Sequence, residues 1–279
     1  MPKKIMDSAT VKRIACVGSG NVALSLLPAL YGAGYKIVQV CSRNLRTVQQ
    51  LAKVVGAAST DKLTELSPNA DIYILAVPDD EIVNVLRKAT FGNGIVVHLS
   101  GSTPMSIFEK RGIAHYGVLY PLQAFTRHSV NFMHVPLYVE ANDSVAMEEL
   151  MFMGRKLSVE VYNITSEKRM LLHIAAVFAC NFSNHLLTIA SRLLHDEQLS
   201  YASLKPLIKD TFERAMQVDN PELLQTGPAV RGDAKIVGSH VKALSGYPLT
   251  QQIYQLISES IMSTEQKIKD SGHGAATHQ

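Results

Sequence analysis

Up to about residue 164 the chain repeats one rhythm: a short apolar run, a glycine-rich or polar break, then apolar positions at helical spacing. Residues 13–17 read as a strand. Residues 22–31 read as a helix halted by Gly32 and Gly34, and residues 36–41 as a second strand. Residues 45–54 form an amphipathic helix entered through Asn44 as its cap. A short third strand is expected at residues 57–59. The unbroken apolar run from Ile72 to Val77 suits a strand covered on both faces of a parallel sheet. Pro78 ends it, and Asp79, Asp80 and Glu81 place negative charge at the start of the next helix. Further strands are expected at residues 94–99, 113–119, 137–140 and 159–164, with helices after Pro104 and at residues 147–157. This alternation predicts an α/β, doubly wound sheet.

Beyond residue 164 the period changes. Strand-like runs nearly vanish, and helices are expected at residues 166–195, 201–217 and 251–269, with a shorter one after Gly232. The pattern therefore divides the chain into a doubly wound domain, residues 1–164, and an all-α domain, residues 165–279. No low-complexity linker separates them, so they are expected to abut. Residues 1–11 read as a loose leader and residues 271–279 as a small, polar, disordered tail. The apolar helices are too many for one small core, which predicts a homodimer buried mainly by residues 165–270.

Composition narrows the class. The 279 residues are 47% hydrophobic and 18% charged, a balance that belongs to a folded globular chain. A net charge of +3 with scattered basic residues is too small to imply a nucleic-acid partner, and none is expected. The longest apolar helix is interrupted by His173 and Asn181 and is expected to be too polar to cross a bilayer. No apolar signal core opens the sequence, so a cytoplasmic enzyme with a small-molecule substrate is expected. Cys16, Cys41 and Cys180 lie in apolar stretches without metal-ligand spacing and read as small buried hydrophobes; no metal site is expected.

The chemistry begins at Gly18-Ser19-Gly20-Asn21-Val22-Ala23, a G-x-G-x-x-A turn between the first strand and the first helix. Gly18 takes the tight turn, Gly20 lets a pyrophosphate approach the backbone, and Ala23 lets the helix pack on the strand. Free N–H groups at the helix start favour the phosphate charge. An NAD site carries an acid at the end of the second strand. This chain has Ser42-Arg43-Asn44 there, and Ser42 and Arg43 suit the 2′-phosphate of NADP. Ala76, Val77 and Pro78 after the fourth strand, and Ser100 after the next, complete the expected cofactor set.

On these residues the chain resembles the Rossmann oxidoreductases of the 6-phosphogluconate dehydrogenase-like superfamily, which carry an all-helical C-terminal domain. Within that group it is similar to NADP oxidoreductases whose helical domain has no assigned function. The resemblance rests further on Tyr120-Pro121-Leu122-Gln123-Ala124-Phe125, on the run His173 to Asn184, and on Thr226-Gly227-Pro228-Ala229-Val230-Arg231-Gly232-Asp233. It implies a nicotinamide-dependent reductase and a dimer formed through the helical domain. It extends to ketopantoate and pyrroline-5-carboxylate reductases and to the β-hydroxyacid dehydrogenases. Laid on a ketopantoate reductase, His173 falls at the catalytic Lys, Val177 at the first Asn and Asn181 at the second, so only Asn181 matches.

The same helix has a reading of its own. At about 100° per residue, His173, Val177, Asn181 and Asn184 fall on one face among apolar neighbours. This is either a site wall or a set of satisfied core polar groups or a dimer seam. As a wall it offers His173 as the proton donor to the oxygen that gains charge on hydride addition, with Asn181 or Asn184 orienting substrate. Lys168 is the alternative donor one turn earlier. Gln123 after a strand could act from the other domain, and Gly101 and Ser102 could line the substrate end beside Ser100. Arg231 could bind a substrate carboxylate, while Asp233 reads equally as a helix cap or a substrate ligand. His98, His115 and His128 show no partner pattern and read as structural. The leading expectation is reduction of a small 2-oxo acid by NADPH, ketopantoate-like. An imine reductase is the second, and a non-catalytic NADP-binding regulator the third.

Overall fold

The structure is a computed structural model and describes residues 11–126 and 130–275. The expected leader, apart from Val11, and His128 lie outside the described residues. Eight strands form one sheet in the order β3-β2-β1-β4-β5-β6-β7-β8. They are β1 (Arg13–Val17), β2 (Lys36–Cys41), β3 (Ala58–Thr60), β4 (Ile72–Leu75), β5 (Ile95–His98), β6 (Tyr116–Pro121), β7 (Leu137–Ala141) and β8 (Val161–Asn163). All neighbours pair in parallel except β6 and β7. The doubly wound sheet is thus as expected, extended by an antiparallel turn at one edge.

Side chains alternate across the central strand as the pleat demands. Ile14 and Cys16 of β1 join one core with Leu26, Leu27 and Leu30 of α1 (Asn21–Gly32) and with Leu150 and Met153 of α4 (Ser144–Leu157). Ala15 and Val17 join the other with Tyr73, Leu75, and Ile82 and Val85 of α3 (Asp79–Lys88). β4 is buried along its whole length, as its unbroken apolar run requires. α2 (Leu45–Val54) begins as expected, with Asn44 accepting from the Thr47 N–H at 3.1 Å.

Several expectations are corrected. Only a single 3₁₀ turn, Met105–Phe108, follows Pro104, where a helix was expected. The helix from Ser166 to Asp196 is continuous but not uniformly α: α5 (Ser166–Ala176) passes through a π segment, Val177–Phe182, into α6 (Ser183–Asp196). The last helix, α9 (Pro248–Ala275), runs through residues 271–275, where a disordered tail was expected. Cys16 and Cys41 are buried, but Cys180, in the π segment, is exposed. The Ser166–Asp196 helix is, by length and composition, apolar enough to cross a membrane, and none of its most apolar window is buried within this chain. The expectation that His173 and Asn181 disqualify it fails because both are uncharged or weakly basic, and residues 170–191 hold no Asp, Glu, Lys or Arg.

The chain forms two compact units, Met1–Phe182 and Ser183–Gln279. The division falls later than residue 164 because α5 is fastened to the sheet. Arg169, fully buried, donates to Glu140 of β7 at 2.8 Å and to the Thr103 carbonyl. Ser166 donates to the same carboxylate at 2.8 Å and accepts from the Met105 N–H at 3.0 Å. The second unit is helical throughout, with α7 (Lys205–Ala215) and α8 (Ala234–Ala243) between α6 and α9. Among its described residues only Ala229 and Ser258 are buried.

Candidate functional site

In a doubly wound sheet the strand order reverses at one point, and ligands settle outside the carboxyl ends of the strands there. Here β1 leads through α1 to β2 on one side, while β4 lies on the other. A cleft of about 280 Å³ opens at that point. Gly18, Ser19, Gly20, Ser42, Arg43, Asn44, Ala76, Val77 and Pro78 line it, so nine of the expected cofactor residues come together from three loops. Asn21, Val22 and Ser100 do not line it. The Asn21 side chain donates to the Phe125 carbonyl at 3.2 Å.

The two glycines of the turn differ in what they are for. Gly18 has φ +118°, and a Cβ there would stand 2.0 Å from the Ala76 carbonyl oxygen. It is fixed by the close passage of β1 against the end of β4. Around Gly20 nothing lies within 4 Å of where a Cβ would be. Its backbone therefore faces open space at the start of α1, a helix with no acid in its first turn. That is the cradle an anionic pyrophosphate needs, so the residues fit a dinucleotide.

At the end of β2, Ser19 Oγ donates to Ser42 Oγ at 2.8 Å, and Arg43 pairs with Glu81 of α3 at 3.0 Å. Asn84 also donates to Glu81, which holds its carboxyl below the usual range together with the Arg43 charge. Glu81, Asn84, Val85, Thr47, Asp61 and Leu63 line the cleft but were not expected. They come from elements brought in by the fold, and no local motif marks them.

A second cluster lies beyond Pro78, along the same edge of the sheet. Asp79 accepts from Ser100 at 2.7 Å and, by a very short contact, from Ser102. Ser100 Oγ in turn accepts from the N–H groups of Ser102 and Thr103, at 3.1 and 2.8 Å. Its role is to hold the turn after β5. His98, fully buried and stacked on Phe108, accepts from the Ser100 N–H at 3.2 Å, and burial pushes its imidazole down to about 3. It is a neutral structural group, as expected. His115 pairs with Asp143 at 2.8 Å.

Gly101 follows this turn and abuts His173 of α5. The Tyr120 hydroxyl at the end of β6 lies 3.0 Å from His173 Nδ1. His173 is thus brought to the carboxyl edge of the strands, half-buried, one helical turn after the anchored Arg169. Tyr120 was missed as a partner. Its signal was its place at the end of a strand in a Tyr-Pro-Leu-Gln run.

Gln123 and Asn181, in the same unit, make no hydrogen bond to this pair among the described residues. Gln123 is exposed, and its side-chain oxygen accepts from the Ala124 N–H at 2.9 Å. Asn181 is exposed in the π segment. Between His173 and Asn184 lies the π segment, with i to i+5 hydrogen bonding, so the uniform α-helical step does not hold from Val177 to Phe182. Asn184, Arg231 and Asp233 belong to the second unit. There Asp233 caps α8, accepting from the Ile236 N–H at 3.2 Å, and Arg231 is exposed. Lys168 lies on α5, its N–H accepted by the Thr165 cap at 3.4 Å. Among the described residues no cluster of His, Cys, Asp and Glu could hold a metal ion.

A glycine-turn cleft at the switch point of this sheet, with Arg43 where an acid would select NAD, defines a Rossmann oxidoreductase that uses NADP. Residues 13–100 match the family described as NADP oxidoreductase, coenzyme F420-dependent, and residues 135–261 match the domain of unknown function DUF2520. A Bacteroides fragilis protein assigned as an NADP oxidoreductase is 36% identical, over 91% of this chain and 98% of its own, with a TM-score of 0.82. The chain belongs to that family of NADP oxidoreductases. An imine reductase from Myxococcus stipitatus in complex with NADP⁺ is 17% identical, over 94% of this chain and 96% of its own, with a TM-score of 0.59. A pyrroline-5-carboxylate reductase from Coxiella burnetii is 16% identical, over 92% and 98%, with a TM-score of 0.54. These two share the fold. No curated protein matches the sequence.

Proposed function

We propose that this oxidoreductase is an NADPH-dependent reductase of a small carbonyl compound, with 2-oxo acids of the ketopantoate kind as the substrate class. The observation that supports it is the His173 imidazole, set against Gly101 at the edge of the sheet that carries the dinucleotide cleft. When bound, NADPH supplies the hydride. The turn Gly18 to Gly20 would hold its pyrophosphate, Ser42, Arg43 and Asn44 its 2′-phosphate, and Ala76, Val77 and Pro78 the remainder. His173 gives a proton to the substrate oxygen as charge develops there. Gly101, Ser102, Gln123 and Asn181 are the candidates in the same unit for orienting the substrate.

A C=N substrate is the second reading. Imine and pyrroline-5-carboxylate reductases share the fold, and a proton donor in the same place would serve an imine nitrogen. A panel of 2-oxo acids and cyclic imines, read by NADPH absorbance, separates the two. His173→Ala is expected to lower turnover by about 10²–10⁴-fold, the usual share of general acid catalysis, with the NADPH dissociation constant unchanged. Full turnover in this variant would remove His173 from the role. NADPH binding without turnover of any panel member would point to a regulator that reads cofactor state.

We also infer a homodimer formed through the helical region. Leu171 is 67% exposed and Phe178 64% exposed on the apolar Ser166–Asp196 helix. Leu207, Met216, Leu249 and Leu256 are likewise uncovered in the second unit. Apolar surface on this scale is stable in water when another protein surface covers it.

A further inference from the structure

Hydride transfer and cofactor binding leave one well-placed group without a task, the Tyr120 hydroxyl. The ring is 8% exposed at the end of β6. It meets the His173 ring edge to face, with centroids 5.9 Å apart and planes at 74°, and its Oη lies 3.0 Å from His173 Nδ1. The pair closes over Gly101. A Cβ at that position would stand 2.6 Å from His173 Nδ1 and 2.8 Å from Tyr120 Cζ. Arg169, one turn before His173, locks α5 to β7 and to the turn after β5. Both ends of the Tyr120–His173 bond are therefore carried on fixed elements.

We propose that Tyr120 is the positioning residue of the proton donor: it makes Nε2 the nitrogen of His173 that carries the transferable proton. The proposal rests on the acid role assigned to His173 above. A tyrosine hydroxyl both donates and accepts. Among the described residues Nδ1 is the hydrogen-bond partner of this hydroxyl, so with the imidazole neutral Oη–H has Nδ1 to donate to, which leaves the ring proton on Nε2. When the imidazole is charged, Nδ1–H donates to Oη, and Nε2 keeps its proton. The nitrogen away from Tyr120 bears a proton in both states, and the ring plane is held in both. A phenylalanine at this position supports neither arrangement and leaves the tautomer free. The charged and titratable groups around the hydroxyl are Arg169 from α5, Tyr138 from β7 and Asp79 at the start of α3. Burial dominates among these influences and raises Tyr120 above the ordinary phenol range, so the hydroxyl keeps its proton in either state of the imidazole.

The tautomer can be read directly, without a substrate. In full-length protein labelled with ¹⁵N at histidine, His173 signals are assigned by their loss in His173→Gln. Neutral wild-type His173 is expected to be predominantly the Nε2–H form, with and without NADP⁺. Tyr120→Phe is expected to move the ratio towards Nδ1–H by about fivefold, the factor one neutral hydrogen bond supplies. Gly101→Ala, which pushes the two rings apart, is expected to do the same. An Nδ1–H majority in wild type overturns the proposal, and so does an unchanged ratio in a folded Tyr120→Phe. The wild-type measurement decides even where a variant fails to fold. Failure of the reductase reading shows instead as absent turnover across the substrate panel with the tautomer as expected, so the two failures are distinct.

Discussion

Two glycines two residues apart carry opposite obligations. At Gly18 an added methyl meets a backbone carbonyl at 2.0 Å with φ at +118°, so Gly18→Ala is a folding lesion. At Gly20 an added side chain meets open space, so Gly20→Val is a binding lesion. Thermal melts with and without NADPH should show Gly18→Ala with a lowered melting temperature. Gly20→Val should melt like wild type yet gain no stabilisation from NADPH. His98 offers a pH test of the same kind. Its imidazole is held near 3 by burial, against 6.5 in the unfolded chain. Between those values the unfolded chain binds the proton and the folded one does not, so its share of stability is present above 6.5 and is lost as pH falls towards 3. From pH 7.5 to 5.5 that loss is about 1.4 kcal/mol. Denaturant titrations should show the fall in wild type reduced by about that amount in His98→Gln.

At the scale of the element, α5 is the piece that joins sheet to helical region, and Arg169 is its anchor. Removing one partner of a buried ion pair costs about 3–5 kcal/mol, because the other is left uncompensated. Arg169→Ala should lower unfolding free energy by that order. The double variant Arg169→Met, Glu140→Gln should recover much of it, and a denaturant midpoint series checks both. Elements were also where the sequence was most legible. Short apolar runs located the strands, and their alternation with helices the doubly wound class, because burial on a sheet leaves that pattern in the residues themselves. The glycine turn and the Ser42-Arg43 pair were legible for the same reason: each chemistry is local. The Arg169–Glu140 bond joins residues far apart in sequence, and so does the Tyr120–His173 pair. Nothing at either end of such a bond announces the other. The π segment escaped because its residues, Val177–Phe182, have ordinary helical character, so a uniform 100° step was carried through a stretch where the helix turns less per residue.

At the scale of the whole molecule, the inferred homodimer rests on large apolar side chains, Leu171 and Phe178 among them, that are exposed in the single chain. Solution scattering should report twice the mass of one chain at micromolar concentration. Phe178→Glu with Leu171→Glu should shift it to the single-chain mass, since both side chains are largely exposed in one copy and placing charge there affects the covered face alone. The strand order has a consequence of its own, in time rather than in space. β1 precedes the other strands in the chain yet lies inside the sheet, between β2 and β4. The Arg13 amide bonds the Asp71 carboxylate, and the Asp71 amide bonds the Arg13 carbonyl, across 58 positions of chain. A ribosome adding on the order of ten residues per second leaves that flank of β1 open for seconds. During this interval Ile14 to Val17 have a neighbour on one side only. A nascent chain stalled before residue 72 is therefore expected to present an unpaired apolar edge, the kind of surface that chaperones recognise.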